Sequence, residues 1–169
     1  PPSLPDDYRS ATDRTAWILT RRGPKLPVDP YRPYAYFREE ETGPDGLPWA
    51  TATLLLSNRE CPWHCLMCDL WRQTTDEPVP AGAVAEQVRW GLEQLPGCRQ
   101  VKLYNAGSFF DRKAIPPADY AEIARLCRGM ERVVVECHPA LVGSATEQFQ
   151  QMLLPCTLEV AMGLETIHP

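Results

Sequence analysis

The sequence has no apolar run long enough to cross a bilayer, which takes about 20 residues; its longest candidate, Leu54–Leu56 with its neighbours, is strand-sized. At its start it lacks the basic, apolar and small-residue succession of a secretory leader, so export is not indicated. Positive charge is not in excess either. The formal net charge of −5 argues against a broad electropositive footprint for nucleic acid and leaves room only for a local one. No methionine precedes Pro1-Pro2, and the sequence stops abruptly at Thr166-Ile167-His168-Pro169, so a piece of a longer protein is expected. What these absences leave is a cytoplasmic protein with no membrane partner. Its 169 residues, 44% hydrophobic and 23% charged, suit one globular domain with a sizeable core.

Proline and cysteine are plentiful and unevenly placed. Half of the 18 prolines fall in residues 1–49, where their fixed φ and missing donor oppose regular structure. That stretch reads as an irregular N-terminal extension wrapped over the fold, with one short helix over Ala11–Thr20 stopped by Gly23-Pro24. Arg21-Arg22-Gly23-Pro24-Lys25 reads as a solvated basic turn more readily than as a phosphate site. The seven cysteines are odd in number and intracellular in context, which favours metal binding or catalysis over disulfides. Three of them, Cys61, Cys65 and Cys68, crowd into one loop. Cys127 and Cys156 read as small buried hydrophobes and Cys98 as a turn residue.

Residues 50–169 carry a repeating pattern. Strand-like runs at Ala50–Ser57, Gln100–Tyr104, Arg132–Glu136 and Thr157–Leu164 alternate with helical ones. The helices are Pro80–Leu95, Pro117–Cys127 and a segment that Ser144 and Glu147 would open as a capping box. Strand–helix alternation predicts an α/β fold with a parallel sheet and its helices on one surface. About four βα units are too few to close a barrel of roughly 250 residues, so a partial (β/α) barrel, truncated, is expected. In the last strand, Leu158, Val160, Met162 and Leu164 should face the helices, leaving Glu159, Ala161, Gly163 and Glu165 to face inward.

Cys61-Pro62-Trp63-His64-Cys65-Leu66-Met67-Cys68 is a C-x3-C-x2-C array just past the C-terminal end of a strand, where ligands collect in α/β sheets. Thiolates suit iron–sulfur clusters and zinc. Three cysteines leave one iron of a cubane cluster without a protein ligand, whereas a zinc site would need a fourth donor such as His64, Cys137 or His138. A disulfide plus a free thiol is the remaining reading. His64 is too cramped between its neighbours to join them easily.

The array resembles the signature of the radical S-adenosylmethionine (radical SAM) superfamily. The resemblance implies a partial barrel of that family's type and a [4Fe–4S] cluster on Cys61, Cys65 and Cys68. It also implies S-adenosyl-L-methionine at the open iron, cleaved to a 5′-deoxyadenosyl radical, and a flavodoxin- or ferredoxin-type electron donor. Met67 stands where the family often has an aromatic residue near the adenine. In Asn105-Ala106-Gly107-Ser108 the sequence keeps Gly107 of a Gly-Gly-Glu-like segment but has Ser108 for the acid. Asn105, Gly107 and Ser108 are thus candidate cosubstrate contacts, as are Glu136 after the third strand and Glu165 at a ribose-binding position. Trp63, Trp71 and Phe109 could stack on a base. The segments SNREC…CDLW, YNAGSFFD, ECHP and GLET together resemble the branch holding the Elongator catalytic subunit and the radical SAM subunit of archaeosine synthase. Those relatives act on tRNA, which implies tRNA or a related nucleoside as substrate. The alternatives are radical chemistry on a small metabolite or peptide, or a zinc-stabilised binding module without catalysis. A fragment of this length could hold a cluster and turn over nothing.

Overall fold

The computed structural model describes residues 10–163. Within them lie helices α1 (Ala11–Leu19), α2 (Ala83–Gln94), α3 (Tyr120–Cys127) and α4 (Ser144–Leu153) and strands β1 (Ala35–Thr42), β2 (Pro48–Leu56), β3 (Gln100–Asn105), β4 (Arg132–Glu136) and β5 (Thr157–Ala161). The strands form one mixed sheet in the order β1-β2-β3-β4-β5. β2 to β5 run parallel, and β1 pairs antiparallel with β2 from Ala35–Leu55 to Thr42–Pro48. The α/β class and the parallel strands stand as expected. The expectation that the proline-rich extension would be irregular apart from one helix does not, because β1 completes a hairpin with β2. A boundary at residue 49 therefore falls inside β2.

One face of the sheet is apolar. Ala52, Leu54 and Leu56 of β2, Val101 and Leu103 of β3, and Val133 and Val135 of β4 are all buried there with Val84 and Val88 of α2, Ile123 of α3 and Phe149 of α4. Gly91 lets α2 pass close over β2: a Cβ at that position would lie 2.6 Å from Leu54 Cδ2. Phe109, Phe110, Tyr120 and Phe149 form a ring cluster with centroids 5.1–6.1 Å apart at the far end of this core. Phe109 is wholly buried in it, so its role is packing and not stacking on a base.

The opposite face is polar, and its ladder follows from the register. Thr53 donates to Glu39 (2.6 Å), Gln100 Nε2 donates to Glu41 (2.8 Å), and Lys102 pairs with Glu41. Arg132 bonds Gln100 and Glu159, the latter at 2.9 Å. Glu159 thus pairs with Arg132 of the neighbouring strand. Leu158 and Val160 pack on the core as expected, but Met162, just past β5, is exposed instead of facing the helices.

Helix starts also depart from the simplest pattern. α4 begins from Gly143, whose N–H donates to Thr146 Oγ1 (3.3 Å), so no Ser144–Glu147 box forms. α2 starts from Gly82, which has no side chain to cap with; Asp119 supplies the acceptor from outside, taking N–H bonds from Gly82 (2.6 Å), Val84 (3.0 Å) and Ala85 (3.2 Å).

Candidate functional site

The cysteine loop grows from the C-terminal end of β2 and is tied at its root. Ser57 and Asn58 are fully buried. The Gln87 side chain of α2 accepts from Ser57 N and donates to Ser57 O, both at 2.8 Å. The Asn58 amide makes a reciprocal pair with Ala106, accepting its N–H (3.2 Å) and donating to its carbonyl (3.1 Å). Glu60 N donates to Thr75 O (3.2 Å) and Thr75 N to Asn58 O (2.9 Å), which closes the neck of the loop. Buried backbone polar groups need such partners, and here they come from three different elements.

Cys61 and Cys68 are half-buried and Cys65 is exposed. Cys68 N donates to Cys65 O (3.3 Å), and His64, just before Cys65, adopts a left-handed φ of 47°. Burial pushes the Cys61 thiol up, and the neighbouring Cys65 and Cys68 push it further in the same direction, as like charges do. His64 Nε2 lies 3.5 Å from Glu60.

All three cysteines line a cavity of about 830 Å³ at the C-terminal ends of β3, β4 and β5. Its other walls include Asn105, Gly107, Glu136, Cys137 and Gly163. Asn105 is 3% exposed, and neither its amide nitrogen nor its amide oxygen has a hydrogen-bond partner. A buried amide left open at both ends is costly, and a ligand with donor and acceptor would satisfy it. Gly107 has φ +116°, and a Cβ there would lie 3.2 Å from Cys61 Cβ and 3.5 Å from its Sγ. The glycine thus lets the loop after β3 come against the first cysteine. Burial raises the Glu136 carboxyl, partly offset by a backbone bond from Asn105. Burial and then the Glu136 charge raise the Tyr34 phenol as well.

Other expected contacts fall elsewhere. Ser108 does not line the cavity; its hydroxyl is buried, accepts His138 N–H (2.6 Å) and contacts Cys137 Sγ at 3.9 Å. It joins the loop after β3 to the loop after β4. Met67 is 82% exposed at the rim. Glu165 and Leu164 lie outside the described residues. Trp63 stacks on His138 with centroids 4.3 Å apart and planes 7° from parallel, and Trp71 lines the cavity under Arg22. Cys127 and Cys156 are buried in the core, and Cys98 is buried at its turn.

The structure adds residues that no local pattern marked. Arg22, from the basic turn of the N-terminal segment, lines the same cavity and pairs with Glu60. Lys25 sits 2.8 Å from the other Glu60 oxygen. Of this turn Arg21, Gly23 and Pro24 are solvated as expected, whereas Arg22 and Lys25 are engaged. The only hint in the sequence is opposite charge, 38 residues apart.

Among the described residues, no three His, Cys, Asp or Glu side chains converge as a metal site. Three thiols on one short loop, a buried unsatisfied amide on the wall of the same cavity and a glycine pressed on the first cysteine nonetheless suit a thiolate-ligated group with a polar ligand beside it. No protein-family model, curated protein or solved structure matches the chain. No described helix is long and apolar enough to cross a membrane.

Proposed function

We propose that the chain is part of a radical SAM enzyme, with Cys61, Cys65 and Cys68 holding a [4Fe–4S] cluster. The observation that carries this reading is the C-x3-C-x2-C loop at the end of β2 opening onto a cavity whose buried Asn105 amide is unsatisfied. Three thiolates suit such a cluster and leave one iron free for a small chelating ligand. When bound, the cluster and S-adenosyl-L-methionine supply one-electron cleavage of a sulfonium and a hydrogen-abstracting radical.

The chain's own residues bind and shield. Asn105 presents a donor and an acceptor to the ligand, and Glu136 offers a carboxyl that its burial favours in the protonated form. Trp63, stacked on His138, and the Met67 rim restrict water at the mouth. On this reading the polar sheet face lines the lumen of a partial barrel. The electron donor is of the flavodoxin or ferredoxin type, and the substrate is a tRNA or a nucleoside related to it. A small metabolite or peptide is the alternative substrate.

One observation favours a second reading. Cys137 lines the same cavity, so it could complete a four-thiol zinc site in a binding module. Anaerobic reconstitution with iron and sulfide separates the two. The cluster reading expects about four irons per chain and an EPR signal of the reduced protein that changes on adding S-adenosylmethionine. Cys61→Ala should abolish that signal, while Cys137→Ala should leave it. Zinc without iron, lost equally in Cys137→Ala, overturns the cluster reading.

A further inference from the structure

The segment from Arg21 to Leu26 is far from the cysteine loop in sequence but holds it from outside. Glu60, the residue before Cys61, receives Arg22 on one carboxylate oxygen and Lys25 on the other, the latter at 2.8 Å. Lys25 also reaches Asp76 at 2.7 Å, on the far side of the loop's neck. Leu26 N donates to Arg72 O (2.7 Å), so backbone joins backbone just beyond the last cysteine. The Arg22 guanidinium lies 4.9 Å over the Trp71 ring, and its side chain is only 10% exposed. These contacts grip the loop on both flanks of the three cysteines. They also put one cation in the wall of the cavity the cysteines line.

We propose that this segment is an electrostatic strap, in which Arg22 and Glu60 are positioning residues that hold the cysteine loop and set the charge felt by the metal centre. The second half of this statement rests on the cluster reading. A cation close to a thiolate-bound centre favours its more negative, reduced state and so raises its potential; an anion lowers it. Partial burial keeps water from screening either charge fully.

The test uses the full chain with Arg22→Gln, Arg22→Lys and Glu60→Gln, each first melted to confirm that it folds. In metal-free protein, amide hydrogen exchange over residues 58–68 should quicken at least tenfold in Arg22→Gln and Glu60→Gln and return toward the parent rate in Arg22→Lys. In reconstituted protein, the midpoint potential should fall in Arg22→Gln, rise in Glu60→Gln and stay near the parent value in Arg22→Lys. Opposite signs are the signature, because mere loosening would move both variants the same way. Unchanged exchange overturns the strap, and shifts of one sign overturn the electrostatic role. A parent chain that assembles no cluster sinks the cluster reading and the tuning with it, while the exchange measurement still decides the strap.

Discussion

Asp119 is 1% exposed, and its carboxylate takes three N–H groups at the start of a helix that lies more than thirty residues earlier. Losing it would strand those donors and the favourable charge at a helix N-terminus. Asp119→Ala should therefore lower unfolding stability by about 1–3 kcal/mol, read as a lower urea midpoint with unchanged slope. Glu136 gives a pH-dependent expectation. Its carboxyl is raised by burial, so the native state binds its proton more tightly than the unfolded chain does. Native stability then falls as pH climbs from the ordinary carboxylate value through the raised one, and the penalty is complete above it. Glu136→Gln removes that penalty, and its melting temperature should gain on the parent as pH rises from 4 to 7. A constant gap would show that the carboxyl titrates alike in both states.

At the scale of elements, the close pass of α2 over β2 is a packing constraint. Gly91→Ala adds a methyl 2.6 Å from Leu54. Its overpacking cost of about 1–3 kcal/mol should exceed the helix-propensity gain of up to about 1 kcal/mol. Combining it with Leu54→Ala should cost less than the sum of the two single changes, as a double-mutant cycle in denaturant would show. The helices and parallel strands were legible because one face of each meets an apolar core and keeps its period: β4 was marked at Arg132–Glu136 and is found there. β1 was hidden for the opposite reason. Phe37, Glu39 and Glu41 on the polar face alternate with Tyr36, Arg38 and Glu40 on the other, so acids fall on both sides and no apolar stripe appears. The site divides in the same way. Three cysteines on one loop declare themselves by spacing, whereas Arg22 with Glu60, or Asp119 with α2, are pairings that only the folded chain makes.

For the molecule as a whole, the polar ladder makes β1 a structural member and not an appendage. Glu39 and Glu41 are the acids that meet Thr53, Gln100 and Lys102 from three sides of the same face. A chain beginning at residue 50 would leave β2 without its antiparallel partner and Lys102 without its counter-charges. Such a chain should melt well below the parent and elute as aggregate in size-exclusion chromatography. A monomer with the parent's melting temperature would show that β1 is dispensable. A milder version is Lys102→Met, expected to cost about 1 kcal/mol in a urea melt, because Glu39 and Glu41 are each about a third exposed and water relieves the two stranded acids.

The two margins of the sheet are unlike. β1 presents the run Arg38-Glu39-Glu40-Glu41 at one margin, and like-charged strands offered to each other there would repel. β5, Thr157–Ala161, has a single acid, and among the described residues it pairs only with β4. Among the described residues, a strand added to this sheet would meet a row of charge at β1 and a single acid at β5, and at β5 the register of that strand would fix how it docks.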